Sequence, residues 1–370
     1  MYHQNGNLKK HYSTLKASDS MLQLFEPYKI DKPIRLIELF AGYGSQALAL
    51  ENLGVDFEHH KVVEFDKYAI KSYNALHSTN YETEDITKVN DLNVVDRDKY
   101  TYIMTYSFPC QDLSRAGKGS GMGEGTRSGL LWEVERLLKQ NELPQVLIME
   151  NVTQVHGAKN KEDFYKWTRF LTKLGYSNQW QDLNAKDYGI PQNRNRTFMV
   201  SILGNYKYHF PKPIKLETRL KDYLEDSVDE KYYLSDKMLN YLQENDKKQK
   251  ERGNGFAFEP TYGDTVARTI RTRNGSRMGD NFIVDHIGNV DIGNNDNVIN
   301  PSKDKTKYVG VVNNLRIRKL TPRECFRLMG LNDNQINRIF KSGNSNTQLY
   351  KQAGNSIVIQ VLEAIFKEMT

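Results

Sequence analysis

The run Ile34-Arg35-Leu36-Ile37-Glu38-Leu39-Phe40-Ala41-Gly42-Tyr43-Gly44-Ser45 sets the reading of this chain. Residues 34–40 are an apolar run bounded by a turn, which predicts a buried strand. Ala41-Gly42-Tyr43-Gly44 supplies the turn, and residues 45–53 predict a helix stopped by Gly54. Lys61-Val62-Val63-Glu64-Phe65 predicts a second strand, with Asp66 capping the helix that follows. Further strands are expected at 102–108, 145–150 and 197–203, and helices at 131–139 and 162–174, the last stopped by Gly175. Strands alternating with helices predict an α/β fold of the Rossmann-like kind, a mostly parallel sheet with helices on both faces. Ligands in such folds bind outside the carboxyl ends of the strands.

The rhythm breaks near residue 206. Residues 207–315 are polar and rich in Lys, Asn, Asp and Gly, with short β-like runs such as Asn281-Phe282-Ile283-Val284. They predict a smaller, irregular, β-rich second domain. Helical order returns at 321–329 and 356–368. The expected division is an N-terminal arm (1–32) with one helix around 20–28, a first domain (33–206), the irregular region (207–315) and returning helices (316–370). The formal net charge of +6 permits nucleic-acid binding without requiring it. Two cysteines in unlike contexts, without Cys-x-x-Cys or His spacing, argue against a disulfide framework or a zinc site. A reducing cytoplasm is the expected compartment, because no apolar run reaches membrane-spanning length and the first six residues lack a signal-peptide core.

The glycine turn lets backbone approach a ligand closely, and the helix behind it favours a negative group. Glu64 ends the second strand about 20 residues past the turn, where an acid grips ribose hydroxyls in dinucleotide folds. Asp85, in Thr83-Glu84-Asp85-Ile86, could accept from an adenine amino group. Solvated loop acids are the plain alternative for both. The turn lacks a full G-x-G-x-x-G, which favours S-adenosylmethionine, with ribose and adenine but no pyrophosphate.

Phe108-Pro109-Cys110-Gln111 then puts a thiol at a strand end, its direction stiffened by proline. A buried, inert cysteine is the competing reading. Beyond it, residues 114–129 carry five evenly spaced glycines from Gly117 to Gly125, with Arg115, Lys118 and Arg127, a composition suited to closing over a polyanion. Glu150, in Met149-Glu150-Asn151-Val152, ends another strand at the same sheet edge. In Gln192-Asn193-Arg194-Asn195-Arg196, alternation points Gln192, Arg194 and Arg196 one way, suited to a base carbonyl or a phosphate.

Together and in this order, these segments resemble the C5-cytosine DNA methyltransferases of bacteria and phages, over residues 34–369. Phe40-Ala41-Gly42-x-Gly44 is similar to the family's first motif, with Glu64 and Asp85 as the second and third. Ser107-Phe108-Pro109-Cys110-Gln111-Asp112-Leu113-Ser114 is similar to the nucleophile motif. Arg127-Ser128-Gly129-Leu130-Leu131-Trp132-Glu133 and Met149-Glu150-Asn151-Val152 resemble the fifth and sixth, and Gln192 onward the eighth. Arg318-Lys319-Leu320-Thr321-Pro322-Arg323-Glu324-Cys325-Phe326 and Gln352-Ala353-Gly354-Asn355-Ser356-Ile357 resemble the ninth and tenth. Glu38, Ser45 and Asn195 depart from the usual Asp, Gly and acid, and none is a reacting group.

The resemblance implies DNA cytosine-5 methylation without a metal. Cys110 is the implied nucleophile toward carbon 6, assisted by Glu150, with Arg196 and Arg194 on the base oxygen. Phe40, Gly42, Gly44, Glu64, Phe65, Asp85, Ile86, Pro109, Asn355 and Ser356 would line the S-adenosylmethionine pocket, Asn355 doubling as a helix N-cap. Gln111, Ser114, Arg115, Lys118, Arg127 and Gln192 would meet double-stranded DNA. Arg268, Arg271, Arg273 and Arg277 fall in the implied target-recognition region, as guanine readers or phosphate contacts. Cys325 is expected in the core. A monomer is expected, with a separately encoded restriction endonuclease as a possible partner. Two alternatives stay open, an RNA (tRNA) cytosine-5 methyltransferase of the same fold and a non-catalytic DNA-binding regulator.

Overall fold

The computed structural model describes residues 26–109, 128–253, 257–286 and 315–370. Twelve strands run in chain order: β1 (Glu26–Pro27), β2 (Ile34–Leu39), β3 (Phe57–Val63), β4 (Thr101–Tyr106), β5 (Val146–Val152), β6 (Tyr176–Asn184), β7 (Gln192–Asn193), β8 (Asn195–Leu203), β9 (Tyr206–Lys207), β10 (Ala267–Arg268), β11 (Phe282–His286) and β12 (Leu315–Lys319). The helices are α1 (Ser45–Leu53), α2 (Lys67–His77), α3 (Leu131–Gln140), α4 (Lys161–Lys173), α5 (Asp236–Glu251), α6 (Pro322–Arg327), α7 (Asp333–Phe340), α8 (Asn346–Asn355) and α9 (Ile359–Lys367).

Six strands form the central sheet in the order β3-β2-β4-β5-β8-β6. The pairs among β3, β2, β4 and β5 are parallel, while β8 runs antiparallel to both its neighbours. Side chains alternate between two cores. Leu36 and Ile103 face α1 and α9, whereas Ile37, Leu39 and Met104 face α3 and α4. Both faces are thus covered, as the unbroken apolar runs of the parallel strands require.

The direction of the chain reverses between β2 and β4: from β2 it steps outward to β3 and then back to the other side. That is the switch point at which open α/β sheets leave a crevice. One register row fixes what borders it. Val63 pairs with Leu39, Leu39 with Tyr106, Tyr106 with Met149, and Met149 with Met199. The glycine turn after β2, Glu64 after β3, the segment after β4 and Glu150 on β5 lie just past this row.

The N-terminal helix expected around residues 20–28 is corrected where it can be seen: Glu26–Pro27 is extended and pairs in parallel with Tyr206–Lys207. The rest of that helix lies outside the described residues. Asn355 is not an N-cap. It is the last residue of α8, and Val358 precedes α9. The region after residue 206, expected to be β-rich, carries the 16-residue helix α5 among its described residues, with the short strands β10 and β11. Those strands are joined to the body: β10 pairs with β7, and β11 pairs antiparallel with β12. Cys325 lies in α6, fully buried, and burial pushes its thiol well up.

Candidate active site

The glycine turn leaves β2 in left-handed backbone, with Phe40 at φ 60°, Gly42 at 61° and Gly44 at 84°. At Gly42 a side chain would meet nothing within 4 Å, so the turn's outer face is open. At Gly44 a Cβ would run into His77 and Tyr73, so glycine is needed there for close packing as well as for conformation. Glu64, one residue past the row, braces the turn. Its Oε2 accepts from the Gly42 amide at 2.9 Å and its Oε1 from the Asp66 amide at 2.7 Å. Burial pushes this carboxyl up from its ordinary value, although the two amides and Lys351 work against it. Each carboxylate oxygen keeps a second lone pair for a ligand hydroxyl. Next to it Phe65 is 76% exposed, an aromatic face held outside the core.

Asp85 caps a short 3₁₀ turn, its Oδ1 accepting from the amide and hydroxyl of Thr87, and those bonds hold its carboxyl below the usual range. Ile86 behind it is buried. Asn355 is exposed and Ser356 buried, the Ser356 hydroxyl donating to the Ala353 carbonyl.

From β4 the chain passes through Ser107 and buried Phe108 to Pro109. Cys110 follows in sequence, and with Gln111, Ser114, Arg115, Lys118 and Arg127 it lies outside the described residues. Glu150 sits next to the row on β5, 7% exposed. Its Oε1 lies 3.1 Å from Arg196 Nε on the neighbouring strand β8. Burial raises the Glu150 carboxyl, opposed by the charges of Arg196 and Arg194 and by Ser107. Asn151 donates to the Phe108 carbonyl at 3.0 Å and so ties the strand end carrying Glu150 to the one that leads to Cys110.

The eighth-motif residues share direction in sequence but not partners in space. Gln192 is fully buried and bonds the Leu328 carbonyl and the Ile270 amide, so its expected DNA contact is corrected to a packing role. Arg194, 3% exposed, donates to the carbonyls of Ile270, Gly354 and Ser356 at 2.9, 2.9 and 2.7 Å. The expectation that it holds a base oxygen beside Arg196 is therefore corrected: both its terminal nitrogens donate to backbone carbonyls, while its charge opposes the rise of the Glu150 carboxyl. Of the recognition-region arginines, Arg268 bonds Glu259 and two carbonyls, and Arg271 is paired with buried Asp280. Arg273 and Arg277 are exposed.

Sequence reasoning missed the contact at Gly354. A Cβ there would fall on the backbone of Arg271 and Thr272, so α8 and the recognition region touch main chain to main chain. The only sequence signal was the glycine itself.

Residues 34–370 match the family described as C-5 cytosine-specific DNA methylase. The type II methyltransferase M2.ScrFI of Lactococcus lactis subsp. cremoris is 32% identical, with 91% of this chain and 99% of that protein covered. Type II methyltransferase M.NlaX of Neisseria lactamica is 31% identical over 90% of this chain and 96% of its own length. Among solved structures, the S. pombe Dnmt2 methyltransferase superposes with a TM-score of 0.67 at 20% identity, covering 90% of this chain and 97% of that one. A putative DNA modification methyltransferase from an E. coli prophage superposes with 0.57 at 18% identity, over 90% and 98%. The solved structures share the fold, and the chain belongs to the C-5 cytosine-specific DNA methylases: it is a DNA cytosine-5-methyltransferase.

Proposed function

We propose that this protein methylates carbon 5 of a flipped-out cytosine within a short, specific sequence of double-stranded DNA, through a covalent bond between Cys110 and carbon 6. The observation that carries this reading is the Glu150–Arg196 pair at 3.1 Å, with Glu150 buried and Arg196 half-buried beside the strand that leads to Cys110. Cytosine carbon 5 is a poor nucleophile until a thiolate adds at carbon 6 and makes it enamine-like. Glu150, with its carboxyl raised, would donate to ring nitrogen 3 as the thiolate adds, and Arg196 would hold oxygen 2. The carbon-5 proton then leaves to a base or water, the bond to Cys110 breaks, and the thiolate is regenerated. Reaching the ring requires extruding it from the stack, at about a few kcal/mol.

S-adenosylmethionine, which membership of this family implies, supplies the methyl group as a sulfonium. The open face at Gly42, the spare lone pairs of Glu64 and the exposed ring of Phe65 suit its ribose and adenine. Asp85, Pro109, Asn355 and Ser356 complete the pocket we propose, with Ile86 packed behind it. No step calls for a metal. Residues 207–315 would read the target, with exposed Arg273 and Arg277 the best-placed contacts, and the loop after Cys110 would close over the DNA. The type II names of the relatives favour a role beside a separately encoded restriction endonuclease.

Duplex DNA carrying 5-fluorocytosine tests the reading, because fluorine cannot leave as the proton does. A protein–DNA adduct that survives denaturation is expected with the native chain and not with Cys110→Ser. Absence of the adduct from the native chain would remove Cys110 as nucleophile. Bisulfite sequencing of exposed plasmid, with a transcript of the same sequence as control, reports the target and separates DNA from RNA activity.

A further inference from the structure

Glu51 on α1, His59 on β3 and His77 on α2 converge behind the glycine turn, and one ligand atom from each lies within 4.8 Å of the other two. His77 has Nδ1 at 2.8 Å from Glu51 Oε1 and Nε2 at 3.1 Å from the carbonyl oxygen of Tyr43. Both oxygens can only accept, and a neutral imidazole carries one N–H. One of the two contacts therefore lacks a proton to fill it, and a cation bound by Nδ1 and the carboxylate would satisfy it.

The surroundings orient both rings as ligands. Tyr73 donates its hydroxyl proton to fully buried Glu38 Oε2 at 2.5 Å, so it must accept from His59 Nδ1 at 2.7 Å. The His59 proton is then on Nδ1 and Nε2 keeps its lone pair. The bond from His77 Nε2 to the Tyr43 carbonyl leaves Nδ1 for a cation in the same way. A ring held at one nitrogen by a hydrogen bond, with the other free to coordinate, is the usual state of a metal-bound histidine. The His77 side chain is 0% exposed, His59 18% and Glu51 33%, so the carboxylate is the side from which an ion can enter.

We propose that Glu51, His59 and His77 form a three-ligand site for a borderline divalent cation of the zinc class, joining α1, α2 and β3 behind the cofactor turn. Two imidazoles and one carboxylate select zinc, cobalt or nickel over magnesium or calcium. The ligands come from three separate elements, so no spacing in the sequence announces them. The ion takes no part in methyl transfer. It ties the turn, through Tyr43 and His77, to the two helices behind it.

The test uses untagged, metal-stripped full-length protein carrying Cys110→Ser, so that this thiol cannot compete. Zn(II) is titrated against a chromophoric chelator, and Co(II) is followed by visible absorption. One equivalent of Zn(II), Co(II) bands of a four- or five-coordinate site, and a melting temperature raised by Zn(II) are expected. Glu51→Gln and His59→Gln should each weaken binding by at least roughly tenfold and remove the thermal shift. Absence of saturable one-equivalent binding overturns the proposal. Affinity in the two variants equal to that of the parent protein overturns it too, because the ion then lies elsewhere.

Discussion

Glu150 is held where its charge is disfavoured: burial raises the carboxyl, and Arg196 and Arg194 only partly restore it. The protonated form, the one able to donate to a ring nitrogen, therefore survives to higher pH than an ordinary glutamate allows. It is lost as pH rises through the raised value, while thiolate at Cys110 grows in the same direction, so a bell-shaped profile is expected. Glu150→Gln should slow single-turnover methyl transfer by about 10²–10⁴-fold and erase the alkaline limb. An alkaline limb that persists in the variant would assign that ionisation to another group. Glu64 makes a second prediction at this scale. It braces Gly42 and offers lone pairs to a ribose, and a hydrogen bond to a charged group contributes about 1.5–3 kcal/mol. Glu64→Gln should weaken S-adenosylmethionine binding by roughly ten- to a hundredfold in calorimetry, and unchanged affinity would exclude Glu64 from the pocket.

Among the elements, α8 and the backbone at Arg271–Thr272 meet main chain to main chain, with Gly354 between them. Because the obstacles are backbone atoms, no rotamer change can relieve a side chain there. Gly354→Ala should cost about 1–3 kcal/mol by overpacking and should raise KM for DNA, since the exposed Arg273 lies on the displaced segment. Wild-type stability and KM in that variant would show that the approach is slack. The elements that were legible in the sequence are those with a strong local pattern: the apolar parallel strands, α1 with its stop at Gly54, and the Asp66 cap, which does accept from the Tyr68 amide. Edge strand β6 was not legible, because its outer face is wet and Trp180 in it is 42% exposed. Helix α5 was not legible either, since only Leu242 in it is fully buried and its apolar contacts stop after the first two turns. Strand direction has no signature in a period of two, so the antiparallel turn of β8 needed the structure. The site was half legible. Glu64 and Glu150 could be singled out because acids stand out at strand ends, whereas the partners of Gln192 and Arg194 are backbone groups about 76 to 162 residues away, which no spacing encodes.

At the scale of the molecule, Arg194 joins three regions that the chain visits at different times. Its guanidinium bonds the carbonyl of Ile270 in the proposed recognition region, and those of Gly354 and Ser356 in the segment that leads into α9, which packs on α1 behind the glycine turn. A planar fork can serve three fixed carbonyls at once, and a lysine ammonium at the end of a flexible stem cannot reproduce that geometry. Arg194→Lys should therefore lower stability by at least about 2 kcal/mol, the value of one or more charge-assisted bonds in a buried site. A structural defect alone would stop there. If Arg194 positions the recognition region against the cofactor segment, KM should rise for DNA and for S-adenosylmethionine together, with a smaller change in kcat. Arg196→Lys, which alters the group beside Glu150, should lower kcat with little effect on either KM. An Arg194→Lys enzyme that is less stable but keeps both KM values would reduce this residue to a packing element and leave the two regions uncoupled.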